Sequence, residues 1–479
     1  MWKHCGTADD LGYFDVGYRN RSVIKTPNID KLAAEGVKLE RHYAQPSCLP
    51  SRACLMMGRY QIHTGYRDEC MNDTRYQRCM NHDIVTLPMK MKQNGYVTHM
   101  IGKWHLGNNN WDCLPNAKGF DTYFGYNAAA EDYYTHMLSG RQNCSDLWRD
   151  RMDVADKYIG QYSTRIFTEE AVNIIENHDI SQPMFMYLAH QAVHAPLQVP
   201  QEYYSLYETT LNDVRRKYAA MVTCMDEGIG NVTEALKESG MWDNTVLVFV
   251  SDNGGELSAG GRNWPLRGGK GSVFEGGIRT VSFVTSSLIE RPQRISNAMI
   301  HITDWFPTLT HLAGGTIDDE MVDGINMWDT ISTGSVEPRT ELLIKISPPA
   351  RITEVGMDPW HKYDVFDAWL NSALFVGNWK LVTNEAYYGG YPVPPELVPR
   401  VRKETIAPPE SKRGKLVWLF HIVEDRREKH DLSSQRPDVV FRMLEKLRQY
   451  QIHTLGCSTR YDHLNCNERG HRWGPPIGS

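Results

Sequence analysis

The sequence predicts an α/β protein with a large mixed sheet flanked by helices, followed by a smaller C-terminal α+β domain. Three observations carry that expectation. Short apolar runs alternate with helix-period segments through residues 1–345, the pattern of strand–helix–strand units. Those runs end in polar or glycine-bearing sequence, as strands do when their carboxyl ends line a crevice. Near residue 345 the composition turns toward Pro, Gly and aromatic residues, so a larger domain over 1–345 and a smaller one over 346–479 are expected.

Taken in order, the first element is the problematic one. Asp9-Asp10 is expected at the carboxyl end of a buried central strand, and such strands read as near-continuous Val, Ile, Leu or Phe. Met1–Thr7 does not, because Lys3 and His4 stand where the core should be. The first strand is therefore expected to be incomplete and the chain to lack its true beginning, which also accounts for the missing charged-then-apolar start of a signal peptide. NIDKLAAEGV (28–37) reads as a helix with Asn28 as N-cap and Gly36 as stop. YVTHMIGKWHLG (96–107), PMFMYLAHQAVH (183–194) and NTVLVFVSDNGG (244–255) read as strands running into polar ends, with a helix over 162–178. In the smaller domain FVGNWKLVT (375–383) and KLVWLFHIV (415–423) read as antiparallel strands, followed by a helix near 435–451.

Composition excludes several classes. Hydrophobic residues make up 41% and charged residues 23%, and no stretch approaches the about 18 consecutive apolar residues of a membrane span. A net charge of −6 gives no footprint for nucleic acid, whose phosphates call for clustered Lys and Arg. Ten cysteines contain no C-x-x-C pair, which argues against a zinc ribbon or a thioredoxin-like site. Sequons at Asn20, Asn72, Asn143 and Asn231, with those cysteines, point to an oxidising, glycosylating compartment.

Polar groups recur at the ends of the apolar runs. Asp9-Asp10 precedes Leu11-Gly12, Lys103 and His105 sit in GKWHLG, His194 in VHAPL, and Asp252-Asn253 in SDNGG. Singly, each has an ordinary reading as a turn, a solvated cation or a structural histidine. Together, carboxylates with an amide form an all-oxygen set that suits a hard cation such as Ca²⁺ or Mg²⁺ rather than zinc. A further pattern, C-x-P-S-R, comprises Cys48, Pro50, Ser51 and Arg52 and is followed by Gly58-Arg59.

With these motifs on the page, the chain resembles the formylglycine-dependent sulfatases of the alkaline phosphatase-like superfamily. Within them it is similar to the branch of arylsulfatase B (N-acetylgalactosamine-4-sulfatase), judged from ADDLG, GRYQIHTG, THMIGKWHLG, GFDTYFGY, EDYYTH, PLQVP, NWPLRG and WGPP. The resemblance implies that Cys48 is oxidised to Cα-formylglycine by a formylglycine-generating enzyme, for which the flanking Pro and Arg are the signal. It implies that Asp9, Asp10, Asp252 and Asn253 hold Ca²⁺, with modified Cys48 completing the site. Arg52 is then expected to steady the formylglycine hydrate, and Lys103, Lys270 and His194 to grip the sulfate. One hydroxyl of the hydrate attacks sulfur while His194 protonates the leaving alcohol. His105 then deprotonates the other hydroxyl, and sulfate is expelled. Arg267 is expected to support the Lys270 loop, and His190 and Trp104 to be structural.

The resemblance further implies a lysosomal or secreted glycoprotein acting on a sulfated carbohydrate, such as N-acetylgalactosamine 4-sulfate units of chondroitin or dermatan sulfate, and disulfides Cys79–Cys113 and Cys70–Cys466. A sulfatase of small metabolites of the glucosinolate type is the alternative substrate class. Two departures stand out: Met57 occupies a position that is threonine in the helper segment of the modification signal, and Ile344 lies where relatives carry polar residues, with a change in the substrate rim as one expectation. Phosphoester hydrolysis on the same fold uses Ser or Thr with a pair of zinc ions, and this chain offers no histidine-rich set. A catalytically silent binder of sulfated glycans is the remaining reading, and every reactive position here is filled.

Overall fold

The computed structural model describes residues 2–20, 23–67, 79–80, 83–108, 110–138, 144–207, 211–317, 321–335, 337–348, 360, 365–385, 390–394, 397 and 415–455. The strands of the larger domain are β1 (Trp2–Ala8), β2 (Val37–Leu39), β3 (His42–Tyr43), β4 (Val97–Lys103), β5 (Thr122–Tyr126), β6 (Trp148–Arg149), β7 (Met152–Asp153), β8 (Met184–Ala189), β9 (Thr245–Ser251), β10 (Ser282–Thr285), β11 (Arg294–Ser296) and β12 (Ile300–His301). A 10-stranded sheet runs in the order β11-β2-β10-β9-β1-β8-β4-β5-β6-β7, and β12 pairs with β3 separately. Its centre is parallel: β1 lies between β8 and β9, and β4 between β8 and β5. Antiparallel strands β10 and β6 join towards either side. The sheet is thus mixed, as the sequence predicts.

The strand at the centre of the sheet is an unusually polar one. Residues Trp2–Ala8 do form the central strand, hydrogen-bonded on both edges, and every residue from Lys3 to Ala8 is buried. The buried lysine is tolerated because its charge finds a partner: the Lys3 ammonium donates to the Tyr96 hydroxyl at 2.8 Å and lies 4.6 Å from the centre of its ring. Burial nevertheless pushes the Lys3 pKa down to about 7. Between about 7 and 10.5 the unfolded chain therefore holds a proton that the folded one has released, so this residue's penalty is full below neutral pH and fades as pH rises. Lys3→Met is expected to raise unfolding stability by on the order of 1–3 kcal/mol at pH 6, with the gain shrinking towards pH 10. Denaturant melts at the two pH values check it; an equal gain at both contradicts it.

The helices follow from local signals. Pro27–Glu35 begins at Pro27 with Thr26 at the N-cap, two residues ahead of the predicted Asn28, and stops at Gly36 as predicted. Ser163–Glu176 buries Ile166, Phe167, Ala171 and Ile175, the apolar stripe of a surface helix. The long helix Asp213–Glu238 starts where Asn212 accepts from the Arg215 backbone N–H.

The smaller unit is an antiparallel sheet in the order β13 (Glu341–Ser347), β14 (Asn371–Val376), β15 (Trp379–Thr383), β16 (Val417–His421), backed by the helix Pro437–Ile452. The boundary expected at 345 falls inside β13. Ile344 is fully buried in that strand, and its carbonyl accepts from Gln61 Nε2 at 2.9 Å, so it belongs to a core and not to a substrate rim. Cys79–Cys113 is bonded as expected. Cys70 and Cys466 lie outside the described residues, as do Asn72, Asn143 and the Asn20 side chain. Asn231 is exposed on the helix Asp213–Glu238.

Candidate active site

The strand order explains why motifs far apart in sequence meet. In the run β9-β1-β8-β4 all neighbours are parallel, so their carboxyl ends emerge side by side. From those ends follow Asp252-Asn253 after β9, Asp9-Asp10 after β1, His194 after β8, and Lys103, the last residue of β4, with His105 beyond it. Crevices at such ends are where ligands collect in open α/β sheets.

Cys48 comes from a different direction, as the first residue of the helix Cys48–Met57. Pro50 fits the first turn, where no intrahelical donor is needed. The four-residue spacing in C-x-P-S-R places Arg52 one turn further on the same face. Arg52 Nη2 and Nε donate to Asp252 Oδ2 at 2.8 and 3.1 Å, and Nη1 donates to the Lys103 carbonyl at 2.9 Å. Gly58 closes the helix at φ 66°, and a Cβ there would sit 2.8 Å from the Phe306 ring. That requirement accounts for the glycine of Gly58-Arg59.

Carboxylates and cations alternate around the site. Lys103 Nζ donates to Asp9 Oδ2 at 2.5 Å, Lys270 Nζ to Asp10 Oδ2 at 2.8 Å, and Asn253 Nδ2 to Asp10 Oδ1 at 2.8 Å. His105 Nδ1 lies 3.4 Å from Cys48 Sγ. His194 Nδ1 donates to the Ala195 carbonyl at 2.6 Å, which leaves Nε2, 3.8 Å from Asp10 Oδ2, as the nitrogen that faces the site. All ten predicted site residues therefore converge, and among them only His105, His194 and Lys270 are other than fully buried.

Burial alone would raise the Asp9 carboxyl, but Lys103, His194, Arg52 and Lys270 hold it below the usual carboxylate range. Asp252 goes the other way: burial, then the Asp9 charge, push it up to about 7. Burial pushes the Cys48 thiol up, and it pushes both histidines down, His105 well below the ordinary imidazole range. An unmodified Cys48 is thus a poor thiolate despite its place at a helix start.

The donors suit a hard cation. Asp9, Asp10 and His194 present ligand atoms that lie within 4.8 Å of one another. Asp9 Oδ1 and Asn253 Oδ1 are buried with no hydrogen-bond partner, and two orphaned oxygens beside three carboxylates fit an ion bound through oxygen. Asp252 differs from its expected role in one respect, since its Oδ2 is held by Arg52 while Oδ1 accepts from the Asp10 backbone at 3.3 Å.

Other residues hold the loops in place, and sequence reading passed over them. Tyr218 O–H donates to the Asp10 carbonyl at 3.0 Å and accepts from Gly12 N at 3.1 Å, pinning the aspartate pair. Asn263, from NWPLRG, accepts from Gly255 N and Tyr13 N and donates to the Gly255 and Gly268 carbonyls. It joins the Asp252 loop to the Lys270 loop. Tyr133 O–H reaches the carbonyls of Gln191 and His194. Trp104 is fully buried and donates to the Cys113 carbonyl, His190 is buried beside β1, and Arg267 stacks on Phe274 and donates to the Glu428 carbonyl.

The comparisons with known proteins agree with this geometry. The sequence model of the Sulfatase family matches residues 7–315. Arylsulfatase J of Mus musculus is 44% identical over 481 residues, covering 98% of this chain and 79% of that protein. N-acetylgalactosamine-6-sulfatase of Homo sapiens is 28% identical over 496 residues, covering 98% of this chain and 88% of that protein. Among solved structures, Ps i-CgsB in complex with k-i-k-neocarrahexaose aligns with a TM-score of 0.79 at 28% identity, covering 96% of this chain and 94% of that one. With the family matched over most of the fold and a relative this similar along nearly its whole length, the chain belongs to the formylglycine-dependent sulfatases and is a sulfuric ester hydrolase.

Proposed function

We propose that the enzyme removes sulfate from a sulfated sugar, with N-acetylgalactosamine 4-sulfate units of chondroitin or dermatan sulfate as the first substrate to test. One observation carries the reading: Cys48, two lysines and two histidines share a crevice with carboxylates at the ends of four adjacent parallel strands. Support for a sugar comes from the relatives, one named for N-acetylgalactosamine-6-sulfate and one solved with a neocarrahexaose. Small sulfated metabolites of the glucosinolate type are the competing substrates.

Asp9, Asp10, Asp252 and Asn253, with residue 48, would hold Ca²⁺, which supplies positive charge against the sulfate oxygens. Residue 48, once oxidised by a formylglycine-generating enzyme, supplies a hydrated aldehyde with two hydroxyls, one to attack and one to release. The chain's own groups do the rest. Lys103 and Lys270 carry ammonium groups paired to Asp9 and Asp10, so an anionic ester enters a site whose cations are already oriented. Arg52 fixes the first turn that bears residue 48 against Asp252. As an imidazolium, His194 donates the Nε2 proton to the leaving alcohol, while Nδ1–H stays committed to the Ala195 carbonyl. His105 accepts a proton from the side chain of residue 48, to which its Nδ1 is adjacent. Such a maturation belongs to the secretory route, which fits a lysosomal or secreted enzyme glycosylated at exposed positions such as Asn231. Among the described residues no helix is long and apolar enough to cross a membrane.

A substrate panel tests the proposal: galactosamine 4-sulfate and 6-sulfate oligosaccharides, a glucosinolate and a simple aryl sulfate. Desulfation of the 4-sulfate with the highest kcat/KM is expected, and exclusive use of the glucosinolate contradicts it. In the same panel His194→Ala is expected to lose about 10²–10⁴-fold on sugar sulfates but far less on the aryl sulfate, since an activated phenol hardly needs a proton. Equal losses on both would remove His194 from the acid role.

A further inference from the structure

The loop that carries Lys270 is held from two directions. From the larger domain, Lys270 N donates to Gly255 O at 3.2 Å and Gly271 N to Pro46 O at 2.7 Å, next to the Cys48 helix. From the C-terminal unit, Gly268 N donates to Gly390 O at 3.0 Å, Val273 N to Glu385 Oε2 at 2.9 Å, and Glu275 N to Glu428 Oε2 at 2.7 Å. Glycines with φ of 79° and 85°, Gly268 and Gly271, flank Lys270 closely, so the backbone there takes shapes that its neighbours must hold.

Behind that loop lies a buried cluster of charges. Lys380, on β15 and fully buried, donates to Glu275 Oε1 at 3.0 Å and to Glu428 Oε1 at 2.7 Å. The other Glu275 oxygen accepts from Arg279 and from the Tyr43 hydroxyl, each at 3.1 Å. Two carboxylates are thus balanced by one lysine and one arginine. Among the described residues Lys380 donates to both carboxylates, one on the Lys270 loop and one on the C-terminal unit, reinforcing the bond from the Glu275 N–H to Glu428. Removing it leaves two buried negative charges with a single counter-charge, and they separate or admit water.

We infer that Lys380 is a positioning residue for Lys270, clamping Glu275 to Glu428 so that the C-terminal sheet fixes where the Lys270 ammonium meets the sulfate. The inference rests on the sulfate-gripping role given to Lys270 above. Mechanistically it makes the C-terminal domain part of anion recognition through residues, such as Lys380 and Glu428, that act on the Lys270 loop from behind.

The test is inorganic sulfate titrated calorimetrically into the full chain, wild type and variants. Lys380→Met is expected to weaken sulfate about tenfold, as a small displacement of a binding group does. In a Lys270→Ala background, Lys380→Met is expected to add nothing. Because Lys380→Met unbalances a buried cluster, Lys380→Met/Glu428→Gln is measured beside it: charge balance is restored, the side-chain bridge through Lys380 stays absent with only the Glu275 N–H contact left to residue 428, and the weaker sulfate binding persists. Wild-type affinity in the folded double variant, or a Lys380→Met loss that adds in full to that of Lys270→Ala, overturns the inference alone. Unchanged affinity in Lys270→Ala itself overturns the role of Lys270 and the inference with it.

Discussion

Cys48→Ser is expected to abolish repeated turnover, with kcat falling about 10⁴–10⁶-fold, the scale seen when a nucleophile is removed. Serine fits the space, since Cys48 opens a helix whose first turn tolerates either residue. Arg52, Lys103 and His105 keep their places, so the variant should fold and bind sulfate esters. What it lacks is a second hydroxyl on the same carbon. A serine that takes up sulfate has no internal route to expel it, and residue 48 should be recovered carrying sulfate after a single event. Intact mass after incubation with an aryl sulfate shows this directly. Sustained turnover by Cys48→Ser contradicts the role given to residue 48.

Asp10→Asn is expected to cost about 10³-fold or more in kcat/KM and to lower bound calcium measured on the purified protein. The substitution is a clean one. Asp10 sits at φ 59°, in the left-handed region that Asn tolerates and most other side chains do not, so the backbone should hold. The loss is one of charge. Asp10 Oδ2 pairs with Lys270 and Oδ1 accepts from Asn253, so an amide there removes a carboxylate from the cation set and the counter-charge from Lys270. A thermal melt close to wild type, with calcium and activity both reduced, is the expected pattern. Full calcium and full activity in Asp10→Asn would take Asp10 out of the site.

Much of this site is legible because the chemistry sits at strand ends. β4, β8 and β9 are apolar runs that stop at Lys103, before His194 and before Asp252, and a parallel sheet puts such stops together. β1 is harder to read from sequence, for a physical reason. A rule about side-chain polarity ranks Lys3 and His4 as surface residues, but the hydroxyl that receives the Lys3 ammonium belongs to Tyr96, which no local pattern announces. Cys48 at a helix start was equally hidden, although Pro50 in the first turn was a usable sign. Tyr218, Asn263 and Lys380 illustrate the remaining blind spot. Each is a single polar residue with at least one partner far away in sequence, such as Lys380 with Glu275 or Asn263 with Tyr13, so its meaning exists only in the folded chain. Ile344 shows the converse error, since a position that seemed to face substrate lies in the core of the smaller sheet.

The central claim is that residue 48 acts as an oxidised cysteine, and the mass of its peptide tests this most directly. Protein purified on the basis of aryl sulfate turnover is digested, and the peptide containing residue 48 is measured with and without a carbonyl-reactive probe. The expected peptide lacks the cysteine sulfur and couples to the probe in proportion to specific activity. An unmodified, alkylatable Cys48 thiol throughout a preparation that turns over at full rate would contradict the account.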